Sequence, residues 1–342
     1  MRERGLRVVA IGGGTGLSTL LKGLKRFVLA PAEVPSGRAD SAVIRDLCAV
    51  VTVSDDGGSS GRLRKELNML PPGDIRNCIV ALSEDEALLS RLFRHRFEKG
   101  SGLEGHSFGN LFLAALTSIT SDFSEAVRLS SEILLTRGHI HPATTSNIEL
   151  EALMEDSTRV RGETKITASK GRIRELSLVP PDVEPIPQTL DAIAHADLIT
   201  IGPGSLFTSL IPNLLVRGIS EAIVASPAIK VYICNLMTQA NESLDLTAGD
   251  HIRALNRHAQ QQLFDYALIN QTAASPELVA KYAQEGGCQI VNDIDAIEGL
   301  GVIPVLGDYL EQAGVARHNT ARVARDLMDL VDQHPAAPAT PK

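Results

Sequence analysis

Apolar positions along this chain alternate between two periods. Leu6 to Ile11 is a short β-branched run, followed by Gly12-Gly13-Gly14-Thr15-Gly16. Behind the glycines, Leu17, Leu20, Leu21 and Leu24 fall at i, i+3, i+4 and i+7, one face of a helix. A polar connection from about Pro31 to Arg45 leads to a second buried strand, Leu47 to Val53, which ends in Ser54-Asp55-Asp56 and a flexible Gly/Ser run, residues 57–61. Helical patterns follow over Asp74–Leu82, Glu84–Phe97, Ser107–Ile119 and Phe123–Leu135. The middle is different. Asn147–Met154, Arg159–Ala168 and Arg172–Val179 read as β-rich, with Ile148, Leu150 and Ala152 alternating against Glu149 and Glu151. After Gln188 the first alternation resumes: a helix, a strand at Leu198–Ile201, a glycine turn and helix, and a strand at Val231–Asn235. A helix at His251–Ala259, a strand at Tyr266–Asn270 and a last helix at Thr320–Asp332 complete it. Strands alternating with helices predict a Rossmann-like, doubly wound, mostly parallel α/β sheet. The expectation is one domain over residues 1–333, a small β-rich insertion at about 147–180, and a disordered tail at 334–342.

Composition narrows the function. Of 342 residues, 44% are hydrophobic and 22% charged, the balance of a globular chain that can bury a large core. The net charge of −8 and the absence of Trp argue against nucleic-acid binding. No apolar run reaches membrane-span length. The charged start, Met1 to Arg7, gives way at once to glycines, which is too short for a secretory signal. The four cysteines, Cys48, Cys78, Cys234 and Cys288, have no CxxC spacing, so the expectation is a cytoplasmic protein with reduced thiols.

The candidate chemistry is anion binding. Glycines between a strand and a helix let a phosphate approach backbone N–H groups at the positive end of the helix dipole. Residues 12–17 do not complete G-x-G-x-x-G, and no P-loop lysine follows. A tight β–α turn with no ligand would look the same. However, residues 10–20 are echoed at 200–210, where Gly202-Pro203-Gly204-Ser205 again joins a buried strand to a helix. Two such turns on one sheet edge converge on one crevice. Thr15 or Ser18 can add a hydroxyl. Asp55 or Asp56, but not both, can face the site, holding Mg²⁺ or accepting from a sugar hydroxyl. Arg62 and Arg64 can close over an anion or start a solvated helix. Asn110 opens an apolar helix and needs a partner, either a ligand or a neighbouring loop, and is counted among the binding candidates. His139 and His141 share a strand face but lack the further ligands of a metal site. Arg317, Arg322 and Arg325 crowd the start of the last helix against its dipole, a conflict that a bound anion would relieve. No nucleophile elbow, zinc motif or acid–base pair is legible, so no catalytic residue is assigned.

Taken in order, Gly12–Gly16, Ser54–Gly61, Pro72-Gly73-Asp74-Ile75-Arg76-Asn77, Ser107-Phe108-Gly109-Asn110, Gly202–Ser205, Asn235–Gln239 and Arg317-His318-Asn319 resemble the YvcK family of gluconeogenesis factors over about residues 6–332. That family is related to 2-phospho-L-lactate transferase, CofD. The resemblance implies a Rossmann-like fold and a nucleotide-sugar ligand of the UDP-N-acetylglucosamine type. It implies a role in cell shape and peptidoglycan synthesis on gluconeogenic carbon sources, through regulatory partner proteins, with a homo-oligomer open. It places Gly13, Gly14, Thr15, Gly16, Gly202, Gly204 and Ser205 around the nucleotide, Asn235 and Thr238 as polar contacts, and Arg317 on the diphosphate. The transferase branch usually carries Pro-Asp-Leu-Asp where this chain reads Pro71 to Asn77, which favours a non-catalytic binder. The alternative is a Mg²⁺-dependent transferase of a phosphate-linked group.

Overall fold

The computed structural model describes residues 5–28, 43–84, 88–169, 171–240, 242–312 and 314–333. Most of the connection at residues 31–45 and the whole of 334–342 lie outside the described residues.

The apolar runs form strands because each can be buried on both faces. The strands are β1 (Leu6–Gly12), β2 (Ile44–Val51), β3 (His139–Pro142), β4 (Glu149–Met154), β5 (Arg159–Arg161), β6 (Ile173–Val179), β7 (Leu198–Ile201), β8 (Ile229–Ile233), β9 (Tyr266–Asn270), β10 (Ile303–Gly307), β11 (Leu310–Gln312) and β12 (Ala316–His318). Seven make one parallel sheet in the order β10-β9-β8-β7-β1-β2-β3. From β1 the chain winds outward through β2 to β3, then returns to β7 on the other side of β1 and winds outward again. The strand order therefore reverses between β1 and β7, where an open α/β sheet leaves a crevice beyond its strand ends. All four residues of β7 are buried, as a central parallel strand covered by helices on both faces requires.

The insertion is a three-stranded antiparallel sheet, β5-β4-β6. Glu149 and Glu151 point outward to Arg161 and Arg159, while Leu150 and Ala152 are buried. The stretch expected as a strand to Ala168 stops at Arg161. Gly162 takes φ +100° and a short helix, Glu163–Ala168, follows. The Gly/Ser run after β2 is also corrected. It is the first turn of a helix, Gly58–Leu67, because Ser59, Ser60 and Gly61 are small enough to be packed inside. Of the stretch expected as a helix over 84–97, Leu88–Arg94 is helical and residues 85–87 lie outside the described residues. Helices at Pro276–Ala283 and Ile294–Gly299, the edge strand β10 and the β11–β12 hairpin were not foreseen. Their apolar positions are too few to show a period.

Among the described residues no single helix is long and apolar enough to cross a membrane.

Candidate functional site: a glycine-walled crevice at the switch point

The helix after β1, Gly14–Leu24, begins beside the 202–205 loop that follows β7. Contact between the two loops is backbone to backbone. A Cβ on Gly16 would stand 2.2 Å from the Pro203 carbonyl oxygen, so only glycine permits this approach. Gly14 has φ +61°, a left-handed conformation that also favours glycine. Together the loops floor a crevice of about 760 Å³, the size of a small-molecule site. Gly13, Gly14, Thr15, Gly16, Gly204, Ser205, Asn235, Thr238 and Arg317 all line it, whereas Gly202, also expected there, does not.

Each helix start is partly occupied by the protein's own acids. The Gly14 N–H donates to Asp74 Oδ2 at 2.7 Å. Beyond the second loop, the Phe207 and Thr208 N–H groups donate to Glu242 Oε1 at 2.8 and 2.9 Å. These carboxylates do what an acid in the first helical turn does for the dipole. Thr15 and Gly16 line the crevice, and their first-turn amides have no acceptor inside their own helix. The Ser18 hydroxyl donates to the Thr15 carbonyl at 3.1 Å.

Several expected binding residues serve first as struts. Asn235 donates through Nδ2 to the Gly204 carbonyl at 2.8 Å and accepts the Gly204 N–H at 3.2 Å, closing the second loop onto the end of β8. Thr238 is buried, and its hydroxyl accepts the Cys288 N–H at 2.9 Å. Gln239, which was not singled out as a binding residue, donates to Ser205 Oγ at 2.9 Å and leaves its Oε1 buried without a partner among the described residues. Arg317 lies on β12 directly across from Glu311 in register, exposed at the crevice rim. Next to it, His318 is half-buried and donates from Nε2 to the Cys234 carbonyl at 3.0 Å. Burial pushes its pKa down to about 4, so it is neutral and ties the hairpin to the end of β8.

Asp55 and Asp56 diverge, as extended backbone requires. Asp55 Oδ1 accepts the Gly57 N–H at 2.9 Å, whereas Asp56 Oδ1 accepts the Thr164 N–H at 2.8 Å and so anchors the insertion. Neither lines the crevice. Asp55 lies within electrostatic reach of Asp74 and Glu163. Glu163 Oε2 accepts from Ser54 Oγ at 3.0 Å. Burial, and then the charges of Asp55 and Asp74, push the Glu163 carboxyl up to about 9. Burial likewise pushes Asp74 up to about 6, against the Gly14 hydrogen bond. Sequence reasoning singled out neither acid, although Asp74 stood inside the 71–77 string. Among the described residues no three His, Cys, Asp or Glu side chains converge as a metal site.

Three further expectations are corrected. Asn110 is buried away from the crevice, and its partner is the neighbouring helix, through Ser59 Oγ at 3.1 Å and Ser60 Oγ at 3.5 Å. Arg64 is held by Asn147 Oδ1 and by the Ser54 and Ile148 carbonyls, leaving it no freedom to close over an anion. Arg322 pairs with Asp326 at 3.0 Å, and its N–H donates to Asn319 Oδ1 at 3.0 Å. An asparagine cap and an internal carboxylate therefore ease the conflict at the last helix without a bound anion.

The model of the family described as 2-phospho-L-lactate transferase CofD matches residues 8–310. The chain belongs to the CofD family. A gluconeogenesis factor of Halalkalibacterium halodurans is 48% identical over 94% of this chain and 95% of its own length. The gluconeogenesis factor of Bacillus subtilis is 46% identical over 96% and 98%. These relatives place the chain in the YvcK branch of the CofD family. A crystal structure of a Bacillus halodurans protein, described as a member of the UPF0052 family, superposes with a TM-score of 0.88 at 45% identity, covering 95% of this chain and 99% of that one.

Proposed function

We propose that the crevice binds a nucleotide sugar of the UDP-N-acetylglucosamine type, and that the protein is a regulatory binder in the manner its relatives' name implies. It would report sugar-nucleotide level to gluconeogenic metabolism and, through partner proteins, to peptidoglycan synthesis and cell shape. The observation that carries this reading is the pairing of two glycine loops at the switch point with Arg317 at the rim. Backbone amides at 15 and 16 suit phosphate oxygens, and a guanidinium adds a charged, planar partner. Arg317 has no ion pair among the described residues. Polar groups in the crevice are largely committed to holding the loops, which suits binding better than proton transfer.

The carboxyl group of Asp55–Asp74–Glu163 and the family's description favour a second reading, a Mg²⁺-dependent transferase. Mg²⁺ needs only one or two carboxylates when ligand phosphates and water complete its shell. Asp55 and Asp74 would supply them, and the ion would neutralise charge on the transferred group. Glu163, neutral at pH 7, would hold a proton beside that site.

Calorimetric titration with UDP-N-acetylglucosamine, UDP-glucose, GDP and GTP, with and without Mg²⁺, separates the readings. Saturable UDP-sugar binding with the ligand recovered intact is expected. Arg317→Ala should weaken it roughly 10- to 100-fold, the effect of losing a charged hydrogen-bond pair. Preference for guanine nucleotides, or consumption of the ligand, would establish the transferase instead.

A further inference from the structure

The crevice has a second basic wall that the nucleotide reading does not use. Arg317 stands on the flank built from β8 to β12. On the opposite flank, which belongs to β1–β3 and their helices, Arg94 lines the same crevice at the end of the helix Leu88–Arg94, next to Asn77. Arg94 is exposed and has neither ion pair nor hydrogen bond among the described residues.

Behind it stands Arg76, held rigidly: Nη1 donates to Ser107 Oγ at 2.6 Å and Nη2 to Asn77 Oδ1 at 2.8 Å. The Arg76 Nε is buried with no acceptor among the described residues. Arg96 lines a separate depression with Arg62 and donates to the Gly105 carbonyl. Arg94 and Arg96 both act electrostatically on Arg76, so three guanidinium groups share one region of a chain whose net charge is −8. Asp74 and Asp55 act on Arg76 with the opposite sign, but neither pairs with it directly among the described residues, and their carboxylates accept from the Gly14 and Gly57 N–H groups. A helix C-terminus tolerates one cation well. It does not account for Arg76, which lies near the start of the helix Gly73–Leu82, has no ion-paired acid among the described residues and is locked in place by neutral partners. Like charges held together in this way are stabilised by an anion.

We propose that the Arg94 flank, backed by Arg76, is a second anion subsite that takes a small phosphate- or carboxylate-bearing molecule beside the nucleotide ligand. The subsite deepens the nucleotide-binding reading and rests on it for the identity of the first ligand only. A binder with two subsites would respond to two metabolites at once. In a transferase, the same subsite would seat the acceptor.

The test is calorimetric titration of inorganic phosphate, and separately of succinate, into the full chain with and without saturating UDP. Arg94→Gln and Arg317→Ala are compared with the wild type. Arg94 is exposed, so the glutamine variant should keep the wild-type melting temperature. The expected result is that at least one of the two anions binds the wild type both with and without UDP. Its affinity should fall roughly 10-fold or more in Arg94→Gln and stay within about twofold in Arg317→Ala. UDP affinity should follow the reverse pattern. Whichever anion binds names the source, phosphate or carboxylate. Anion binding that is absent, equal in Arg94→Gln and wild type, or lost only in Arg317→Ala would overturn the subsite. UDP failing to bind the wild type would sink the nucleotide reading alone, because the anion titration without UDP still decides the subsite.

Discussion

Gly16→Ala is expected to destabilise the protein by about 3 kcal/mol or more and to abolish nucleotide-sugar binding, although alanine is the better helix former. Two effects compete. In the first turn of a helix, replacing glycine with alanine ordinarily gains about 0.5–1 kcal/mol. Here the added Cβ would lie 2.2 Å from the Pro203 carbonyl oxygen, 2.7 Å from its carbon and 3.0 Å from the Gly204 Cα. All three are backbone atoms of a loop that Asn235 already holds, so no side chain can swing aside. The loops must part, and the crevice floor parts with them. Gly299→Ala is the control: it sits in a helix with no atom within 4 Å of its added Cβ, and should be neutral or mildly stabilising. Calorimetric melting and a UDP-sugar titration of both variants check the pair. A Gly16→Ala protein that melts and binds like the wild type would mean that the two loops do not abut.

Glu163→Gln is expected to remove a large part of the pH dependence of stability. The Glu163 carboxyl is held up at about 9 in the fold against an ordinary value of 4.5, so between those limits the folded chain keeps a proton that the unfolded chain releases. Stability from this group is therefore fully present below pH 4.5 and declines as pH rises, levelling off above about 9. The slope is at most about 1.4 kcal/mol per pH unit. Asp74, raised to about 6, adds a decline of the same sign over the lower part of the range and is common to both proteins. Glutamine is nearly isosteric with the neutral acid and can still accept from Ser54 Oγ. Denaturant midpoints at pH 5 and pH 8.5 should show the variant gaining a few kcal/mol on the wild type at the higher pH. Parallel profiles would show that Glu163 is ionised in the folded protein.

Local signals were read well where a period or a repeated string carried them. The spacing of Leu17, Leu20, Leu21 and Leu24 gives a helix, and all four are buried. The echo between residues 10–20 and 200–210 brought two loops together in advance of any coordinates. The β-rich insertion showed itself through alternation at 148–152. Composition misled where packing overruled it. Gly57 to Gly61 reads as a flexible linker, yet it becomes a packed helix start because small residues are what a close helix contact needs. Asn110 reads as a polar residue needing either a ligand or a neighbouring loop, and its Nδ2 finds Ser59 and Ser60 on a helix about 50 positions earlier.

The chain's own pattern determined the fold class and the strand–glycine–helix units, because those follow from side-chain periodicity over ten or so neighbouring residues, and the repeated glycine string at 10–20 and 200–210 pointed to the crevice. Tertiary structure alone decided which polar groups in the crevice remain available. Gly14 spends its N–H on an acid 60 residues away, and Ser54 meets Glu163 across 109. Arg64 is tied down, whereas Arg94 and Arg317 stand on facing flanks without ion pairs among the described residues. A hydrogen bond has a range of about 3 Å and no memory of sequence separation. Its partner is chosen only when the chain has packed.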